Sequence, residues 1–154
     1  MGVEIERKFL LQGDTWRGLG QAVLLRQGYL SSARERVVRV RIEGEQAMLT
    51  IKGANMGATR GEWEYPIPLA DAAELLDGLC EQPLIEKVRH RIEHAGMVWE
   101  VDEFLGANAG LVVAEIELAS EDQPFEKPEW IGVEVSGDAR YYNANLIRHP
   151  FSQW

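Results

Sequence analysis

The sequence predicts a mainly β protein, α+β in class, whose antiparallel strands form a closed barrel or a strongly curved sheet. A two-sheet sandwich is the competing architecture. Two observations lead there. Most segments alternate apolar and polar residues with a period of two and are bounded by turn residues. Several connections are very short, Gly44-Glu45 and Ala95-Gly96 among them, which makes the flanking strands antiparallel hairpins. Closure removes the exposed edges that such strands otherwise present.

In chain order, segments 3–11, 23–31, 36–43, 46–53, 61–68, 84–93, 97–104 and 111–119 read as strands, with a shorter one at 132–136. After Pro68, the spacing of Leu69, Ala72, Ala73, Leu75, Leu76 and Leu79 predicts an amphipathic helix, with Asp71 helping to cap its start. A second helix is expected at 138–147, begun by Asp138 and limited by Pro150, and a short third at 14–20. No repeat, linker or low-complexity stretch interrupts the 154 residues, which fit one domain.

Composition excludes several functional classes. The longest apolar runs, such as Ala22-Val23-Leu24-Leu25, are far short of a membrane span. The opening MGVEIERKF lacks the basic-then-apolar order of a signal peptide. A lone cysteine, Cys80, cannot form an internal disulfide and suits a reducing cytoplasm, where it reads as a small core residue. A net charge of −9 argues against a nucleic-acid partner, which needs a basic surface.

Side chains alternate across a strand, so each strand sorts into two faces. One face collects Glu4, Glu6 and Lys8; then Arg39, Arg41 and Glu43; Thr50 and Lys52; Glu62 and Glu64; Lys87, Arg89 and Arg91; Glu100 and Asp102; and Glu115 and Glu117. A solvated sheet face accounts for any one of these strands. Such a face usually mixes in Ser, Thr, Asn and Gln, whereas these positions are mostly ionic across seven strands. They are also sorted, with acids on the first, fifth, seventh and eighth strands and bases on the third, fourth and sixth. Turned inward, they would line a channel of paired, hydrated or ion-bound charges. Phosphoryl transfer uses such a channel. Arg and Lys grip phosphate oxygens, carboxylates hold Mg²⁺ or Mn²⁺, and catalysis is mostly positioning and electrostatics.

The strand Glu4-Ile5-Glu6-Arg7-Lys8 resembles the ExExK signature of the CYTH superfamily, the triphosphate tunnel metalloenzymes. The resemblance continues in order through Arg26-Gln27-Gly28-Tyr29-Leu30, Arg39-x-Arg41, Thr50-Ile51-Lys52, Arg60-Gly61-Glu62-Trp63-Glu64, Glu86-Lys87-x-Arg89, Asp102, Glu115-Ile116-Glu117 and Arg140-Tyr141-Tyr142-Asn143. It spans nearly the whole chain, and the length is similar to that of short bacterial members, several of which hydrolyse inorganic tripolyphosphate.

The resemblance implies an eight-stranded antiparallel barrel open as a tunnel, helices outside it, and a C-terminal helix plugging one end. It implies metal ligands at Glu4, Glu6, Asp102, Glu115 and Glu117, and a triphosphate grip from Arg39, Arg41, Lys52, Lys87, Arg89 and, near the C-terminus, Arg140. It also implies that Lys8 faces the phosphates, that Lys8 and Lys87 act in catalysis, and that Glu62 and Glu64 orient water or hold a second metal. The implied cofactor is Mg²⁺ or Mn²⁺ and the implied partner a small-molecule triphosphate. A homodimer is an analogy left open. Ala139 stands where related sequences often carry a lysine, so the grip there must come from elsewhere. Thiamine triphosphatase or nucleotidase activity, a class IV adenylate cyclase, and a non-catalytic polyphosphate- or nucleotide-binding module are the alternatives.

Other signals carry less. His90-Arg91-Ile92-Glu93-His94 matches a zinc-protease pattern, but on a strand residues four apart lie roughly 13 Å from each other, too far to share a zinc. There is neither a GxxxxGK[ST] loop nor a GxSxG elbow. The tryptophans Trp16, Trp63, Trp99, Trp130 and Trp154 are scattered and read as core anchors.

Overall fold

A computed structural model describes residues 2–154. Its strands are β1 (Gly2–Leu11), β2 (Gln21–Ala33), β3 (Arg36–Glu43), β4 (Gln46–Lys52), β5 (Thr59–Pro66), β6 (Ile85–His94), β7 (Met97–Phe104), β8 (Val112–Glu117) and β9 (Ile131–Glu134). Helix α1 (Leu69–Gly78) lies between β5 and β6, and α2 (Asn143–Arg148) follows β9. The strand order is β5-β4-β3-β2-β6-β7-β8-β1, and β1 pairs back to β5, which closes an eight-stranded antiparallel barrel. The sandwich is thereby excluded.

Closure rests on β1, whose two edges are used unequally. On one edge Glu6–Leu10 pair with Glu117–Val113 of β8. On the other, Gly2–Ile5 pair with Glu62–Thr59 of β5, and further along Phe9 and Leu11 pair with the extra strand β9. Arg7 secures that extra strand through two hydrogen bonds to Glu134, of 2.8 and 2.6 Å.

The apolar residues of each strand face outward, so the barrel is covered from outside. Phe9, Trp16, Trp99, Ile116 and Trp130 form one cluster on β1, β7 and β8, with Phe9–Trp99 and Trp99–Trp130 packed edge to face at 5.6 and 6.0 Å. Each such pair contributes about 0.5–1.5 kcal/mol beyond its burial. Helix α1 buries Ala72 and Leu76, together with Cys80, on Val40 and Ala47. A third cluster, with Tyr29, Ile85, Phe104, Val113, Tyr141 and Leu146, packs beneath α2. Among the described residues no helix is long and apolar enough to cross a membrane.

Four expectations need correction. Residues 14–20 form turns, not a helix. Gly13 and Gly18 take positive φ there, and Trp16 swings into the core with its indole N–H donating to the Gly13 carbonyl. Asp71 makes no cap. The cap position is Pro68, and Asp71 sits in the first turn, where its charge suits the helix dipole. The helix expected at 138–147 is split by extended Tyr142 into a 3-10 turn at Ala139–Tyr141 and α2. The break sends neighbouring side chains to different places, Tyr141 into the core and Tyr142 into the barrel. Of the tryptophans, Trp63 is only half-buried and Trp154 is exposed.

In the β6–β7 hairpin both turn residues, Ala95 and Gly96, have positive φ, at 51° and 79°. An L-residue with a Cβ is disfavoured there by about 1–2 kcal/mol, and asparagine is better tolerated. Ala95→Asn is therefore expected to raise the unfolding free energy by about 0.5–1 kcal/mol, read by urea denaturation.

Candidate active site

The inward faces of the strands enclose a cavity of about 560 Å³, running from Arg91 and Glu100 at one end to Arg34 and Arg148 near α2. Alternation aims these side chains inward. Strand register decides which of them meet.

On the β1–β8 wall, Glu6 stands opposite Glu117 and Lys8 opposite Glu115. Lys8 pairs with Glu115 at 3.4 Å. From β4, Lys52 reaches across to Glu4, donating to both carboxylate oxygens at 3.0 and 2.9 Å, and lies 3.5 Å from Glu62. On the facing wall, Arg39 and Arg41 of β3 have no such tight partner. Arg41 donates through Nε to the Gln27 side-chain oxygen at 3.0 Å. Arg39 has only a 3.4 Å contact to Thr50 and a 3.9 Å one to Glu64, and its buried Nε has no partner at all.

Between the walls lies a buried triad. Asp102 accepts from Arg89 at 2.7 and 2.9 Å and pairs with Lys87 at 2.8 Å. Lys87 also donates to Oδ1 of Asn143, the first residue of α2, at 2.9 Å. Buried Gln27 donates to the same oxygen at 3.3 Å and to the Tyr29 hydroxyl.

Electrostatics separates the two walls. Burial, reinforced by Glu115 and Glu4, pushes the Glu6 carboxyl up to about 8. Burial opposes the charge of Glu4 as well, but Lys52 outweighs it and holds that carboxyl below its usual range. Burial likewise works against the Lys8 ammonium, yet Glu115 and Glu6 keep it firmly charged. Burial and the neighbouring Arg39 and Arg89 bring Arg41 down to about 9. Within the triad the Lys87 and Asp102 shifts pull differently. Burial lowers Lys87 to about 7, although Asp102 supports its charge. Asp102 falls to about 2 against its own burial, through Lys87 and Arg89. The bidentate arginine keeps Asp102 ionised whatever the lysine does, so the shared charge falls short on the lysine side.

The donor chemistry of the β1–β8 wall fits a hard divalent cation. Glu4, Glu6, Glu115 and Glu117 offer oxygen ligands, and Glu115 and Glu4 add to burial in raising Glu6. As the side chains stand, no three carboxylates or other ligating groups converge on one point among the described residues. Glu4 and Glu115 are turned to lysines instead.

The barrel brings together, around one cavity, Glu4, Glu6, Lys8, Arg39, Arg41, Lys52, Glu62, Glu64, Lys87, Arg89, Glu115 and Glu117. Two expected residues lie elsewhere. Asp102 does not line the cavity; it is 1% exposed, with both oxygens engaged by Arg89 and Lys87. Arg140 is outside, bonded to Asp138 and stacked over Trp154, which leaves it remote from the cavity. Arg91 lies at a mouth between Glu43 and Glu100. The histidines of the zinc-like pattern lie on β6, with His90 against the Trp16 ring and His94 beside Glu126.

Sequence reasoning placed Gln27, Tyr29, Arg60, Tyr142 and Asn143 in the family pattern but gave none of them a role in the site. Parity along β2 put Gln27 and Tyr29 on the face of Arg39 and Arg41, a signal that was available. No strand parity orients Asn143 and Tyr142, which the docking of α2 brings to Lys87 and Lys8.

A family model described as the CYTH domain matches residues 2–150. The chain is 50% identical to the inorganic triphosphatase of Acetivibrio thermocellus over 154 residues, covering 100% of this chain and 99% of that one. It is 37% identical to the inorganic triphosphatase of Nitrosomonas europaea over 147 residues, 93% and 95% of the respective chains. A crystal structure of an inorganic triphosphatase superimposes with a TM-score of 0.67 at 35% identity, covering 93% of this chain and 96% of the other.

Because Glu6 keeps its proton in the folded state from its ordinary 4.5 up to about 8, the native protein binds more protons than the unfolded chain across that range. Stability from this group is thus full below about 4.5 and is lost as pH rises. Lys87 acts in the opposite sense, but only above about 7. In EDTA the unfolding free energy is expected to decline from pH 5 to 7, and Glu6→Gln to flatten that decline, as measured by denaturant titration at each pH.

Proposed function

The chain belongs to the CYTH-domain family, and on that premise we propose that it is a divalent-metal-dependent inorganic triphosphatase, converting tripolyphosphate to pyrophosphate and phosphate. The observation that carries the reading is the opposition across one cavity of two arginines, Arg39 and Arg41, without tight carboxylate partners, to a wall of crowded carboxylates. A linear phosphate chain meets the first need and a divalent cation the second. The names of the two relatives support the same substrate.

In this mechanism Arg39 and Arg41 bind phosphate oxygens, where guanidinium groups hold such oxygens bidentately. Lys52, Lys87 and Arg89 complete the grip, and Asp102 orients Lys87 and Arg89. Lys8, kept charged by Glu115 and Glu6 against its burial, faces the charge that develops as the anhydride bond breaks. Glu62, raised by burial and by Glu4, is the base that takes a proton from the attacking water, with Glu64 beside it. That water adds to a terminal phosphorus, the bridging P–O bond breaks, and pyrophosphate leaves. Glu4, Glu6, Glu115 and Glu117 would hold the metal, which when bound neutralises phosphate charge and polarises the reacting group. Mg²⁺ and Mn²⁺ both suit these oxygens. Residues 1–154 act as one domain, working in the cytoplasm, in this proposal.

Phosphate release from tripolyphosphate, ATP and thiamine triphosphate, each with Mg²⁺, Mn²⁺ or EDTA, tests it. Release is expected to be fastest from tripolyphosphate and absent in EDTA. Arg41→Ala is expected to lower kcat/KM by about 100-fold or more, about 2.7 kcal/mol of transition-state stabilisation. Cyclic AMP from ATP would move the function to a cyclase, and tight binding without turnover would make the chain a ligand-binding module.

A further inference from the structure

The cavity has two unlike ends. At one, Arg91 is clasped between Glu43 and Glu100, at 2.7 and 3.1 Å, so its charge is spent and the rim is acidic. At the other, beside α2, the lining carries Arg34, Arg60 and Arg148. Register brings these together. Ser32 of β2 stands opposite Val37 of β3, and Val37 opposite Lys52 of β4. Arg148 donates to the Ser32 carbonyl and hydroxyl, Arg60 donates through Nε to the Gly53 carbonyl just past Lys52, and Arg34 lies two residues beyond Ser32. Neighbouring strands lie roughly 5 Å apart, so the three span about 10–15 Å of one rim.

None of these three arginines has a carboxylate within ion-pair distance among the described residues. That is unexpected in a chain with 25 acidic and 16 basic residues, where carboxylates are in surplus. Arg41, deeper in the same cavity, is also without one. The arginines without ion pairs thus lie from the α2 mouth inward, where Glu62, next in the ladder, is engaged by Lys52, while at the far mouth Glu43 and Glu100 outnumber Arg91.

We propose that Arg34, Arg60 and Arg148 form a capture subsite for the polyphosphate anion, and that the anion enters the tunnel past them and not past Glu43 and Glu100. Resting on the triphosphatase reading above, this adds a direction to the tunnel. Fixed charges at a cleft mouth act mainly on encounter, raising association at low ionic strength and losing that effect beyond a Debye length in high salt.

The test compares Arg34→Glu and the milder Arg148→Gln with Glu43→Gln at the opposite mouth. For each, kcat/KM for tripolyphosphate is followed from roughly 10 to 500 mM NaCl, and binding is titrated calorimetrically in EDTA. Arg34→Glu is expected to lower kcat/KM several-fold to about ten-fold at low salt, with the deficit closing to within about two-fold at high salt. Arg148→Gln should do the same more weakly, and Glu43→Gln should leave kcat/KM level or raise it. Equal losses at both mouths, or a deficit at Arg34 that salt does not relieve, would overturn the direction while leaving a triphosphatase. A wild-type protein that neither binds nor cleaves tripolyphosphate would overturn the function reading, and this subsite with it.

Discussion

The whole structure depends on one constraint: a face crowded with ionic groups has been turned into a closed barrel, where burial of a charge is costly unless it is paired or bound. The deepest instance is Asp102, gripped by Arg89 and Lys87 with almost no access to water. Buried ion pairs yield little net stability, but removing one member strands the other and costs about 3–5 kcal/mol. The triad therefore fixes the geometry of the cationic wall more than it stabilises the fold. Outside, the cost is offset by ordinary means, with three apolar clusters covering the wall from without.

Not every charge is locked to the same degree. Asp102 is committed, whereas Lys52 with Glu4 and Lys8 with Glu115 look across the cavity at groups that an incoming ligand and cation would each prefer. These pairs behave as place-holders. Lysine suits that part, since its ammonium is a compact charge on a flexible stem, while the guanidinium of Arg89 holds a fixed two-point geometry on its carboxylate. Lysine at the exchangeable pairs and arginine at the permanent one is the arrangement expected of a site that must be charge-balanced both empty and full.

Much of this was legible in the sequence because a strand has a period of two. Parity assigned Glu4, Glu6, Lys8, Arg39, Arg41, Lys52, Lys87 and Arg89 to one face, and all line the cavity. Parity does not give depth. Asp102 shares that face, yet Arg89, its register partner, and Lys87 occupy both its oxygens and cover it. Arg140 illustrates a second blind spot. A motif following the last strand has no ladder to orient it, and a local bond to Asp138 two residues away captures the side chain. The same absence of a ladder hid Asn143, whose role depends on α2 docking against residues over fifty positions distant in sequence. The turn at 14–20 was misjudged because Trp16 gains more from the core than its neighbours lose by leaving a helix that Gly18 and Gly20 would weaken in any case.

The double use of β1 has a consequence for how the chain must assemble. Its partners β8 and β9 lie more than 100 residues further along the sequence, so the barrel cannot close until nearly all of the chain is available. Contacts of such long range are slow to form, and meanwhile the part of β1 that awaits β8 and β9 stays unpaired, the state in which β structure is most prone to self-association. The waiting strand is Glu4-Ile5-Glu6-Arg7-Lys8, with four of five residues charged. The carboxylates and ammonium that serve the finished cavity would thus also act as gatekeepers during biogenesis, keeping a nascent edge soluble until its partners arrive.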